Sequence, residues 1–266
     1  MNTNDPVAIA HVAKSGEALG LGPNPSFEQV NRLAQQGNPK AQVLLSYMYG
    51  NGVGVAKDDK QAFAWDSKAA EQGSVDGMVN LSNDYANGWG VAKDYKLAFE
   101  WALKAAQQGD AEAQRDVGSV YYTGQGIAQD YQQAMFWSLK AAAQGDAGAQ
   151  RLVAQMYWNG EGVAQDYAQA FVWYSKAGAG GEVYAENMLG VFYHKGLVPG
   201  IQNDDLALSW YAKAAAQGCP VAAANLANFY NDSGGGGGDG YGANPAVYVH
   251  PVYDRGGGGG GGGHHR

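Results

Sequence analysis

Residues 74–109 read SVDGMVNLSNDYANGWGVAKDYKLAFEWALKAAQQG, and the same 36-residue frame recurs on both sides of them. Trp65, Trp101, Trp137, Trp173 and Trp210 hold one phase of that frame, at spacings of 36, 36, 36 and 37. Gly37, Gly73, Gly109, Gly145, Gly181 and Gly218 close successive blocks, 36 apart four times and then 37. A fixed period of this size marks stacked supersecondary units, each burying its apolar face against a neighbour.

Within 74–109 the pattern predicts two helices. Leu81 and Tyr85 lie four apart in the first, about Ser74 to Asn87. Ala98, Trp101, Ala105 and Ala106 line one face of the second, about Asp94 to Gln108. Asn38, Ser74, Asp110 and Asp146 can cap the first helix of a block, and Asp58, Asp94, Asp130 and Asp166 the second. Gln61, Gln133 and Gln169 stand at the capping-box distance from three of those aspartates. Pro39 and Pro220 suit a first helical position. The loops between the helices carry glycine pairs at 52/54, 88/90, 124/126 and 160/162. They lack the preceding strand and the Lys-Ser/Thr of a phosphate loop, so they read as tight turns of positive φ.

The recurring motif AxAQxxLGxxYxxGxGVxxDxxxAxxWYxKAAxQG, nearly whole in DAGAQRLVAQMYWNGEGVAQDYAQAFVWYSKAGAGG at 146–181, resembles the Sel-1-like repeat family, close to tetratricopeptide repeats. The resemblance implies an all-α, right-handed α-solenoid of about five helix-turn-helix repeats with period 36. It also implies an adaptor or scaffold whose first helices line a concave surface. Some secreted relatives carry a disulfide in each repeat and are linked to β-lactam binding; Cys219 is the only cysteine here, so that branch is not implied.

The expected organisation is an irregular segment 1–25, with a short helix around Val7 to Lys14, and a solenoid over 26–231. The solenoid comprises a capping helix 26–37, repeats 38–73, 74–109, 110–145, 146–181 and 182–218, and a half repeat 219–231. A low-complexity tail follows at 232–266, where Gly234 to Gly238 and Gly256 to Gly263 bracket DGYGANPAVYVHPVYDR. That bracketed piece could fold back on the last half repeat; His250, His264 and His265 read as part of the tail rather than as a metal site. Gly178, Gly180 and Gly181, with Pro199 in an altered loop, predict the loosest packing between the fourth and fifth blocks.

Residues that recur serve the repeat, so function is sought where blocks differ. Aligned on the tetratricopeptide pattern, three groove-facing rows emerge. They are Val43, Val79, Arg115, Arg151, Asn187; then Tyr47, Asn83, Ser119, Gln155, Val191, Asn228; then Gly50, Ala86, Tyr122, Trp158, His194. The partner-binding set is therefore Asn83, Arg115, Ser119, Tyr122, Arg151, Gln155, Trp158, Asn187 and His194. Arginine grips carboxylate, amides pair with peptide backbone, and aromatics bury apolar anchors. The competing reading pairs Arg115 and Arg151 with Glu112, Asp116 or Asp146 of the chain itself.

A net charge of −8 gives no basic footprint for nucleic acid or anionic lipid. Met1 to Gly20, broken by charges and Pro6, reads as neither leader nor membrane span, so a cytoplasmic location is expected. No HExxH, CxxC or nucleophile-histidine order is present, and neither cofactor nor catalysis is expected. A protein or peptide partner is the reading; a hydrolase or small-ligand site in the same groove is the alternative. An enzyme would need a closed pocket with a perturbed titratable group.

Overall fold

A computed structural model describes residues 6–232. The fold-back of the 239–255 segment and the tail histidines lie outside these residues. Among the described residues all regular structure is helical: α1 (Pro6–Ala18), α2 (Phe27–Gln35), α3 (Pro39–Asn51), α4 (Asp59–Glu71), α5 (Val75–Asn87), α6 (Tyr95–Gln107), α7 (Ala111–Thr123), α8 (Tyr131–Ala143), α9 (Ala147–Asn159), α10 (Tyr167–Ala179), α11 (Val183–Lys195), α12 (Asp204–Ala216) and α13 (Pro220–Asp232). The fold class is all-α, of the solenoid type, with one helix hairpin per sequence block. The chain divides into two compact units: 6–113 with 125–127, and 114–124 with 128–232.

Local chemistry places the helix ends. Asp58 Oδ1 accepts from the N–H groups of Lys60 and Gln61 at 3.0 Å, and Asp94 and Asp130 repeat this. Asn38, Ser74 and Asp146 cap the first helices as expected, and the block-closing glycines all have φ between 83° and 97°. The reciprocal capping box forms at Ser26 and Gln29, where the sequence reading did not place one. The tightest loop glycine is Gly90: a Cβ there would lie 2.1 Å from the Asp59 carbonyl oxygen.

In the first unit, hairpins pack through small residues and a buried polar bolt. Asp66 on α4 accepts from Ser46 Oγ of α3 at 2.5 Å and from Asn80 Nδ2 of α5 at 2.9 Å. In the second unit the corresponding positions are filled by shape. Gly190 on α11 faces Tyr211 of α12 so closely that a Cβ would come within 2.6 Å of the ring. Tyr174 and Tyr211 are each 1% exposed. A small residue on one helix thus makes room for a ring on the next, which keeps the interior filled without strain.

Two expectations need correction. Residues 6–18 form the continuous helix α1 rather than an irregular stretch with a short helix, because Ala8 and Val12 find a seat on the first hairpin. The glycines near 178 do not loosen the fourth block. A Cβ on Gly178 would sit 3.0 Å from Leu189 Cδ1, so the missing side chain lets α10 and α11 approach. The tryptophans are not uniformly interior. Trp65 and Trp137 are buried, whereas Trp101, Trp173 and Trp210 are half-buried. The lysine one turn later lies over each ring, from 3.6 Å at Lys104–Trp101 to 4.9 Å at Lys213–Trp210. Each tryptophan therefore buries one part of its indole and offers another to a cation.

Candidate functional site

The second unit joins three of the predicted groove residues in one hydrogen-bonded chain. Arg151 and Gln155 are one turn apart on α9, and Arg151 Nη1 donates to Gln155 Oε1 at 3.3 Å. Gln155 Nε2 donates to the Tyr122 hydroxyl oxygen at 2.9 Å, and that hydroxyl donates to Glu161 Oε2 at 2.7 Å. Asn159 Nδ2 adds a second donor to Glu161 at 3.0 Å. At the other end Arg151 Nε meets Glu182 Oε1 at 3.1 Å, with the Tyr184 ring 6.0 Å from the guanidinium carbon. The chain Glu182–Arg151–Gln155–Tyr122–Glu161 thus links α7, α9 and the start of α11.

Burial sets the electrostatics. Burial pushes the Tyr122 phenol well above its ordinary value, and its bond to Glu161 adds to that. Tyr184 is pushed up to about 12, by burial first, with Arg151 opposing. Burial also raises Glu182, against the pull of Arg151 and the bond from the Ala185 N–H. For Arg115, burial disfavours the charge, and Asp116 and Asp146 outweigh it. Its Nη1 reaches Asp146 Oδ2 at 2.9 Å and its Nη2 reaches Asp116 Oδ1 at 3.0 Å. The arginines therefore hold carboxylates of their own chain. This is the competing reading for Arg115, and it corrects the idea of two cations open to an acidic partner.

The remaining predicted residues sit in separate settings. Trp158 is half-buried, with ring centroids 5.0 Å from Tyr167 and 5.1 Å from Phe192. Asn187 is 1% exposed and accepts from Asn225 Nδ2 at 2.9 Å. His194 Nδ1 lies 3.1 Å from Asp204, with its ring 5.1 Å from Phe229. Ser119 is half-buried. Asn83, in the first unit, is half-buried and its carbonyl accepts from Asn87 Nδ2 at 3.0 Å. Sequence reasoning missed Glu161 and Glu182. Both departed visibly from the frame: Glu182 stands where other blocks carry Asn38, Ser74, Asp110 or Asp146, and Glu161 fills a variable loop position.

The first unit carries an open cleft of about 600 Å³ lined by Lys57–Lys60 and by Gly88, Gly90, Val91 and Ala92. Asp84 of the same unit is 0% exposed, so a molecule in this cleft does not reach it. Burial, then the nearby Asp59, pushes Asp84 up to about 8. Among the described residues no group of three or more His, Cys, Asp or Glu could hold a metal ion.

Hairpins of this length, closed by a left-handed glycine and repeated at 36 residues, define a helical repeat protein. The Sel1 repeat family model matches at 39–74, 75–110, 111–146, 147–182 and 183–219. The chain belongs to the Sel1 repeat family, whose members are generally protein-interaction scaffolds and typically not enzymes. Among solved structures it is similar to a protective antigen of uropathogenic Escherichia coli that displays an SLR fold, at 37% identity and a TM-score of 0.75. That match covers 82% of this chain and 46% of the other, so this chain spans about half the length of that relative. A Sel1 repeat protein from Oxalobacter formigenes is similar at 31% identity and a TM-score of 0.73, over 84% of this chain and 88% of that one. No curated protein matches the sequence.

Proposed function

We propose that this protein is a scaffold that takes a peptide segment of a protein partner along the groove-facing residues of its second unit, in the cytoplasm. One observation carries the reading. The positions that vary between blocks on α7 and α9 meet in a single polar chain, Arg151–Gln155–Tyr122, with Glu161 and Glu182 at its ends. The chain is buried, with Arg151 7%, Gln155 5% and Tyr122 4% exposed, so its members bond one another and fix the floor against which a bound segment would pack. Trp158 supplies an adjacent half-buried aromatic anchor. Because both arginines already hold carboxylates, the partner segment is recognised through backbone and apolar contacts more than through acidic side chains.

The test is affinity capture followed by mass spectrometry, with the wild type beside Trp158→Glu and Ser119→Arg. Both changed residues are half-buried and lie outside the polar chain. A partner recovered by the wild type and lost from both variants, at unchanged helicity, supports the groove. Equal recovery by all three would show that the partner binds elsewhere. No helix among the described residues is long and apolar enough to cross a membrane.

A further inference from the structure

The arginines of the second unit are outnumbered by the carboxylates they sit among. Arg115 holds Asp116 and Asp146, and Arg151 holds Glu182. Glu161 is the carboxylate left over: among the described residues no lysine or arginine pairs with it. Its partners are neutral, the Tyr122 hydroxyl at 2.7 Å and Asn159 Nδ2 at 3.0 Å. Both donate to Oε2, and Oε1 receives no donor among the described residues. Tyr122 and Gln155 are buried, whereas Glu161 is half-buried, so the polar chain reaches the surface at this carboxylate.

The loop between α9 and α10 fixes where that carboxylate stands. The Glu161 N–H donates to the Met156 carbonyl oxygen at 3.0 Å, and Gly160 and Gly162 on either side have φ of 75° and 73°. A Cβ on Gly162 would lie 2.6 Å from the Tyr131 carbonyl oxygen, so the loop rests directly on the start of α8. The Tyr131 ring is half-buried and lies 5.4 Å from that of Tyr122. Other blocks carry Val53, Trp89 or Gln125 at the position of Glu161, so the repeat itself does not require a carboxylate there.

Two neutral donors leave the charge of a carboxylate uncompensated, and an arriving cation would break no existing ion pair. The guanidinium fork of arginine needs both carboxylate oxygens, and Oε2 already serves two donors. An end-on ammonium needs only Oε1, and its methylene stem can lie on an aromatic surface. We propose that Glu161 is the cation receptor of the groove, taking a lysine ammonium of the partner segment on Oε1 with the lysine stem against the Tyr131 ring. This rests on the groove reading above and names the charged anchor of the segment that the groove takes.

The probe is N-acetyl-lysine methylamide, titrated into the 15N-labelled full chain at constant ionic strength beside the norleucine and arginine analogues. The lysine probe should shift the backbone amides of Glu161 and Gly162 and the side-chain amide of Asn159 saturably. The norleucine analogue should not, and the arginine analogue should bind no more tightly than lysine. Glu161→Gln, which keeps the size of the side chain, should weaken lysine binding roughly fivefold or more. Glu161→Asp, which keeps the charge at shorter reach, should fall between the two. Asp205→Asn makes the same change in net charge at an exposed carboxylate and should leave the binding unchanged. Equal shifts with lysine and norleucine, or equal lysine affinity in the wild type and Glu161→Gln, would overturn the receptor. A tighter arginine analogue would overturn the end-on geometry. Affinity capture with Glu161→Gln beside Trp158→Glu and Ser119→Arg separates this inference from the groove. A partner lost from the latter two but fully held by Glu161→Gln would keep the groove and overturn the lysine contact. A partner held by all three would overturn both.

Discussion

Asp84 occupies a core position of α5 that the other blocks fill with Met48, Val120, Met156 and Phe192. It is 0% exposed, and burial followed by the charge of Asp59 pushes its carboxyl up to about 8. The folded first unit therefore holds Asp84 protonated near neutrality, while the unfolded chain ionises it at its ordinary value of 3.8. A group whose pKa is raised on folding contributes stability that is fully present below the unfolded value and is lost as pH rises toward the folded value. Each pH unit in that window costs about 1.4 kcal/mol. From pH 4 to pH 7 the loss is roughly 4 kcal/mol, a large fraction of a typical domain stability. Replacing Asp84 by methionine, which two other blocks carry, removes the titrating group without changing the volume much. Urea melts followed by tryptophan fluorescence at pH 4.5 and 7.5, with amide exchange on α5 as a local readout, should show Asp84→Met gaining stability over the wild type as pH rises. Glu182 is also raised and acts in the same direction, so the difference between wild type and variant is the quantity to read. A wild type and variant that lose stability in parallel across this range would refute the reasoning.

Three other outcomes follow from the packing. Arg151→Glu sets a second carboxylate against Glu182 in a buried site and should cost about 3–5 kcal/mol, not the small thermal effect that a surface groove residue would show; restoring the pair with Glu182→Arg should recover much of the loss in thermal melts. Gly190→Ala should destabilise by roughly 1–3 kcal/mol through the Tyr211 ring, and a double-mutant cycle with Tyr211→Ala should show strong coupling between the two. Trp137→Ala, at 7% exposure, should cost about 3–5 kcal/mol in denaturant melts, and a loss below about 1 kcal/mol would show that Trp137 is not a packing residue.

The period, the helix-loop-helix block and its caps could all be read from residues near one another in the chain. Asp58, Asp94 and Asp130 cap helices through N–H groups two and three residues away, and Gly90 turns a loop through its own φ, so sequence spacing carries that information. The tertiary structure alone decided what the groove residues hold. Arg151 finds Glu182 across 31 positions and Tyr122 finds Glu161 across 39, and no phase rule foretells which charges meet when the helices stack. It also decided that α1 covers Tyr47 and that glycines at 178 and 190 admit neighbours rather than loosen helices. Local propensity acts within a few residues, whereas ion pairing and steric fit depend on distances that exist only once the hairpins are packed.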